Sequence, residues 1–219
     1  MLPAKARRRN ARGEGGRLRL EILEATVRLI DAGADRLTLT AIARATGIAG
    51  PSIYDHFAGI EDIRVEVIRS CYADLTARIR EAQHDLRDPV DRLEATCRAY
   101  VRYGAEFPGR YSLLFRGKRD RKEKSAVGDR GATALQTLVD SIADCKAAGT
   151  SMSAEPYEDA VALWSAIHGL TTLRASRPDF AQLHSDAMLQ SIIHRLALIS
   201  PPIDSRVEGD ASASARAAV

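Results

Sequence analysis

Between residues 38 and 56 the chain brings together Thr38, Thr40, Ser52, Tyr54 and His56, with Gly47 and Pro51 among them. Hydroxyls and an imidazole with no nucleophile–base pair beside them suit hydrogen bonding to anionic oxygens better than bond breaking. A second pair, Trp164 and His168, stands at i and i+4 in a helical pattern, so the indole N–H and the imidazole share one face. Each carries a polar atom that needs a partner, so the pair either packs between helices or closes on a small molecule. Nothing in the chain suits catalysis or metal binding. There is no Gly-rich loop after a strand, no G-x-S-x-G elbow and no His/Cys cluster at metal spacing. The five histidines (56, 84, 168, 184 and 194) are scattered, and His184 and His194 read as surface or interface residues. No catalytic residue, cofactor or metal is expected, and the chain is read as not an enzyme.

The elements that must position these residues are helical. The chain has 219 residues, 45% hydrophobic and 28% charged, enough for a core of its own. No apolar run reaches the roughly 18 residues that a membrane span needs. The basic start, "MLPAKARRRNARGEGG", lacks the apolar segment of a secretion signal. Cys71, Cys97 and Cys145 are widely spaced on apolar helical positions and read as reduced core residues. A cytoplasmic protein with no membrane partner is the expectation. Charge is uneven: Lys5, Arg7, Arg8, Arg9, Arg12, Arg17 and Arg19 stand against Glu14 alone, which leaves the remainder net acidic within a total of +3. A basic arm on an acidic body suits a polyanion, and it equally describes a solvated tail.

Apolar residues recur at helical spacing nearly everywhere, and no alternating strand pattern emerges. Ile22, Leu23, Val27 and Ile30 predict a helix over 17–32, closed by Gly33. Thr38 caps a short segment with Leu39, Ile42 and Ala43 that Gly47 ends, and a second short helix is expected over 50–56. A long helix follows Gly59, with Ile60, Ile63, Val67, Cys71, Leu75 and Ile79 in its stripe. Asp88 and Pro89 start the next helix, which breaks at "FPG" (107–109) before a short helical "RYSLLF". The cation-rich 116–124 reads as a solvated loop, another helix ends at Gly149, Pro156 opens a further one, and the last runs over 179–199. The fold class is all-α, with about nine helices.

Two short helices joined by a glycine turn make a helix-turn-helix, whose second helix enters the major groove of DNA. Tyr54 and His56 can then meet phosphate, while Ser52 and Asp55 reach base edges or nearby backbone. The rival reading of the same spacing is a plain helical hairpin.

"LTLTAIARATGIAGPSIYDHFAGIEDI" resembles the N-terminal signature of the TetR family of transcriptional regulators, with Thr38, Ile42, Ala43, Gly47, Ile48, Tyr54, Phe57 and Ile63 in place over about 17–70. The resemblance implies phosphate contacts from Thr40, Tyr54 and His56, base edges facing Ala49, Gly50, Pro51 and Ser52, and a core role for Phe57. Two departures stand out. Ile60 replaces the lysine usual three residues past the phenylalanine, and Ala49-Gly50 replaces the usual polar pair. Readout then leans on thymine methyls and DNA shape, with Arg17, Arg19 and the arm at 5–12 supplying phosphate contact.

"EFPGRYSLLF" (106–115) and "WSAIHGL" (164–170) resemble the Trp-His-Gly C-terminal domain of one TetR branch. That resemblance implies a small-molecule pocket, for which Trp164, His168, Tyr100, Phe107, Tyr111 and Leu114 are the candidates. It also implies dimerisation through the last two helices, where Gly169, Leu173, Leu189, Ile192, Ile193 and Leu196 are placed at the interface. The organisation expected is a basic disordered arm (1–16), a three-helix DNA-binding domain (17–62), a helical-bundle regulatory and dimerisation domain (63–200) and a disordered tail (201–219). The function expected is a homodimeric regulator, a repressor of a pseudo-palindromic operator in double-stranded DNA, released by an unidentified small-molecule effector. The alternative is a helical protein–protein adaptor with a degenerate helix-turn-helix. Deleting residues 2–12 should lower affinity on every DNA sequence and flatten the salt dependence of binding; an unchanged slope in salt titrations would remove the arm from the interface.

Overall fold

Helix α1, Gly15–Asp31, forms because Ile22, Ala25 and Ile30 fall on one stripe and bury it fully or nearly so. The computed structural model describes residues 15–34, 36–115, 121–177, 179–180 and 185–200, without the side chains of 15 and 121–130. The expected arm, apart from 15 and 16, the whole expected tail and His184 lie outside the described residues.

Helix α2, Leu39–Thr46, starts where the Thr38 side chain accepts from the Ala41 N–H at 3.1 Å. It stops at Gly47, whose φ of 72° lets its own N–H and that of Ile48 turn back onto α2 carbonyls. The expected helix over 50–56 is shorter than that. A single 3-10 turn, Gly50–Ile53, is followed by a bend through 54–56. Pro51 opens the turn without needing its missing N–H, and burial of Ile53 and Phe57 pulls the far end inward. Gly59 then precedes α3, Ile60–Gln83, whose buried stripe runs through Ile63, Val67, Cys71, Leu75 and Ile79.

Helix α4, Pro89–Glu106, is capped by Asp88, which accepts from the N–H groups of Val90 and Asp91. Helix α5, Pro108–Phe115, follows the break at Phe107. Helix α6, Arg121–Ala147, begins inside the stretch expected as a loop, since strong helix formers carry it back to Arg121; residues 116–120 lie outside the described residues. Helix α7, Pro156–Ser176, has proline in its first turn. Helix α8, Asp186–Leu196, is shorter than the 179–199 expected. The Ser185 hydroxyl caps its start, and beyond Leu196 the chain turns so that Ile199 bridges Ser151. Eight α-helices and one 3-10 turn, with no strand, make up the described residues, in line with the all-α expectation of about nine.

Two glycines let helices touch. At Gly104 a Cβ would run into the Thr171 methyl, so α4 and α7 cross with backbone close to side chain. At Gly109 a Cβ would collide with the Ile30 carbonyl oxygen, so α5 lies directly on the end of α1. Beside it Arg110 donates to both Asp31 oxygens, the shorter contact 2.6 Å, and to Asp74 on α3 at 3.1 Å. The same guanidinium lies 4.2 Å over the Phe107 ring. The hydrogen bonds it donates to Asp31 hold its pKa above the ordinary arginine value despite burial. One side chain thus ties α1, α3 and α5. At the other end of the bundle Glu94 on α4 accepts from Gln190 and pairs with His194 on α8, and its carboxyl is held below the usual range: burial opposes this, but these bonds and Arg98 outweigh it.

Gly109→Ala should cost about 1–3 kcal/mol, the usual penalty of overpacking, read as a lowered midpoint in denaturant unfolding. An unchanged midpoint would mean that α1 and α5 are not pressed together at Gly109.

Candidate functional site

The 38–57 segment presents two faces. Ile42, Ala43, Ile53 and Phe57 are buried, each large one contributing about 1.5–3 kcal/mol of transfer free energy. Thr38, Thr40, Ala49, Pro51 and Tyr54 are exposed, Tyr54 by 62%, and Gly50, Ser52 and His56 are half-buried. Thr38 uses its oxygen as a cap and keeps its O–H for another acceptor. An exposed turn of small residues flanked by hydroxyls and an imidazole fits a groove wall of phosphates.

Arg19 is placed differently from the expectation. Its guanidinium faces the protein: it donates to the His56 carbonyl at 2.9 Å, lies 4.3 Å over the Phe57 ring and reaches Glu66 at 3.6 Å. It positions the reading turn rather than extending it. Arg17 is exposed and bonded to Glu21 one turn on, at 3.1 Å. Ile60 packs against the core at the start of α3, and Asp62 accepts from the Ala58 N–H at 3.0 Å. The function of Arg19 was hidden because its partners, a carbonyl and a ring 37 and 38 residues on, leave no mark in local spacing.

Farther along, α3, α4, α5, α6 and α7 enclose an apolar cavity of about 400 Å³. Tyr100 and Trp164 line it, as does Phe115, which spacing had not singled out. Tyr72 on α3 and Leu135 and Leu138 on α6 complete much of its wall. Tyr111 and His168 stand behind it: Tyr111 Oη lies 2.6 Å from His168 Nδ1, and Tyr100 Oη is 3.1 Å from Tyr111 Oη and 3.2 Å from His168 Nδ1. The two rings Tyr111 and His168 stack at 5.5 Å. Burial pushes the Tyr100 hydroxyl well above the usual phenol range, so it stays protonated. Two of the expected lining residues are elsewhere. Leu114 is wholly buried core, and Phe107 packs on Tyr103 under Arg78 and Arg110. Phe115 sits four residues past Tyr111 on the same face of α5, a signal that was available.

On the last two helices, Leu189 and Ile193 are 2% and 0% exposed and belong to the protomer's own core, which corrects their placement at an interface. Ile192 and Leu196 also pack against that core from partly covered positions, and Gly169 is half-buried. Leu173 at 48% and Met188 at 42% are the large apolar side chains that α7 and α8 leave outward, with Trp164 and Tyr157 also exposed. No helix among the described residues is long and apolar enough to cross a membrane.

Residues 22–67 match the model of bacterial regulatory proteins of the tetR family, and residues 93–196 match a tetracyclin repressor-like C-terminal domain. The chain is 30% identical over 184 residues to the HTH-type transcriptional regulator Rv0681 of Mycobacterium tuberculosis, covering 82% of this chain and 79% of that one. In fold it is similar to a transcriptional regulator of Saccharomonospora viridis solved with choline (TM-score 0.71, 20% identity, 85% of this chain and 100% of that one). It is likewise similar to the regulator FadR of Bacillus subtilis solved with stearoyl-CoA (TM-score 0.68, 15% identity, 81% and 97%). The match over 22–67 spans the cap at Thr38, the left-handed Gly47 and the exposed turn that follows: the chain belongs to the TetR family of bacterial transcriptional regulators.

Proposed function

We propose that this regulator is a homodimeric repressor that binds a pseudo-palindromic operator and leaves it when a small molecule enters the cavity. In this reading residues 17–62 read DNA through Thr38, Thr40, Ala49, Gly50, Pro51, Ser52, Tyr54 and His56, and residues 63–200 sense and dimerise. The observation that carries it is α3. This one uninterrupted helix of 24 residues, about 36 Å long, starts three residues past Phe57 and forms a cavity wall with Tyr72 and Ile79. A displacement at one end cannot be absorbed before the other. α5 offers a second route, since Phe115 lines the cavity while Gly109 and Arg110 lie against α1.

A bound molecule that prefers the conformer with α3 displaced spreads the two reading heads and weakens operator binding by its differential affinity. The fold neighbours solved with stearoyl-CoA and with choline support a small-molecule effector. The exposed Leu173 and Met188 support pairing of two copies through α7 and α8, which sets two reading turns one helical repeat apart, about 34–36 Å. Trp164 and His168 on one face of α7, with Gly169 beside them, support the Trp-His-Gly branch.

A binding selection on genomic fragments should return DNA upstream of the chain's own gene with two symmetric half-sites. Tyr54→Phe should lower affinity about tenfold on all fragments alike, as loss of one charge-assisted phosphate bond does; sequence-dependent losses would make Tyr54 a base reader instead. Any compound that raises the melting temperature through the cavity should lower operator affinity by an equal coupling factor in reciprocal titrations. Stabilising compounds that leave operator affinity unchanged would rule out release by an effector.

A further inference from the structure

The charge, shape and hydrogen-bonding capacity of the cavity narrow what it can hold. None of the described residues that line it is Asp, Glu, Lys, Arg or His. An ion entering it would exchange water for a lining that offers no counter-charge among the described residues. Of the lining hydroxyls besides Tyr100, Thr96 is already used, accepting from Gln83 at 2.6 Å and donating to the Arg92 carbonyl at 2.9 Å, while the Tyr72 hydroxyl stands beside Gly131 on the α6 wall. The wall toward α6 is stepped down to Gly131, Ala132 and Ala134, while rings stand across from it. Phe115 meets Tyr72 edge-on at 6.2 Å and the tilted Trp164 at 6.5 Å. Small residues facing rings leave a slot for a flat molecule. At ~30 Å³ per water-sized group, the volume of about 400 Å³ holds roughly a dozen non-hydrogen atoms.

The polar end adds hydrogen bonding through Tyr100, whose oxygen also meets the Trp164 indole N–H. Tyr100, Tyr111 and the His168 ring form a triangle of three contacts, but their protons can fill only two of its edges. With Nδ1 bare, Tyr100 donates to Tyr111 and Tyr111 to His168. With Nδ1 protonated, His168 donates to Tyr111 and Tyr111 to Tyr100. In both arrangements the short 2.6 Å edge is used and Tyr100 ends the chain. It has oxygen lone pairs to offer in the first case and its O–H in the second. A tautomer change in His168, whose protons are assigned by the network, thus lets Tyr100 serve an acceptor or a donor on the guest.

We propose that the cavity takes an uncharged, planar aromatic compound of about a dozen heavy atoms with one hydroxyl- or carbonyl-type group, which meets Tyr100. This names the chemical class of the effector and rests on the effector reading for its consequence at DNA.

Calorimetry on the full chain at neutral pH tests it with four probes of one shape: naphthalene, 2-naphthol, 2-naphthoate and 2-naphthyltrimethylammonium. 2-Naphthol should bind at one site per chain, naphthalene about fivefold more weakly for want of one hydrogen bond, and both ions at least thirtyfold more weakly, on the order set by burying an unpaired charge. Tyr100→Phe should bring 2-naphthol down to the naphthalene value, and Ala134→Phe, which fills the slot, should abolish binding of both. Quenching of Trp164, the only tryptophan in the chain and a lining residue, locates the probe in the unmodified protein without relying on either variant.

Either ion binding as tightly as 2-naphthol overturns the proposal, as does failure of both neutral probes to bind or to change Trp164 emission. 2-Naphthol seated in the cavity with operator affinity unchanged would sustain the cavity chemistry and defeat the effector reading alone.

Discussion

The contact on which the rest of this structure turns is the seating of α5 on the end of α1. Gly109 puts α5 backbone against the Ile30 carbonyl, and Arg110 closes the same joint with a charge-assisted bond of 2.6 Å to Asp31 and another to Asp74. Only eight residues long, α5 also carries Tyr111 into the hydrogen-bonded triangle and Phe115 into the cavity wall. Dense interiors deform by discrete rearrangement rather than by continuous give. A helix fixed at four points over two turns therefore moves as a body or not at all. The joint links the wall of the cavity to α1 and α3, although Gly109 and Arg110 do not line the cavity.

The reading head shows the same economy of parts. Its outward turn is small and bland, and its geometry comes from the inside: a left-handed glycine at 47, two buried anchors at 53 and 57, and Arg19 clamping the His56 carbonyl while stacking on Phe57. Ile60, where an ion was expected, continues the hydrophobic seal at the root of α3.

Around the cavity, most of the lining is aliphatic, aromatic or small. Tyr100, Tyr111 and His168 bond one another at 2.6–3.2 Å at one end, and Thr96 is held by Gln83 and the Arg92 carbonyl. Such a site stays intact when empty because its buried polar groups already have partners. α7 serves both sides of this arrangement: His168 faces inward, while Trp164 is still 36% exposed and Leu173 48%, in a helix with apolar residues all around.

Much of this was legible in the chain. Caps at Thr38 and Asp88, the stop at Gly47, Pro156 at the start of α7 and the long stripe of α3 all follow from interactions within a few residues, which spacing records. The family signature at 38–63 likewise rests on local residues. Tertiary structure alone decided the rest. It drew Leu189 and Ile193 into the protomer's core, took Leu114 and Phe107 out of the cavity, and turned Arg19 inward. Those outcomes depend on which side of a helix meets which neighbour. An apolar stripe is equally content against its own bundle, a second copy or a guest, because hydrophobic burial is non-directional. Which acceptor an arginine meets is likewise set by the fold, which here brings the His56 carbonyl within 3 Å of Arg19.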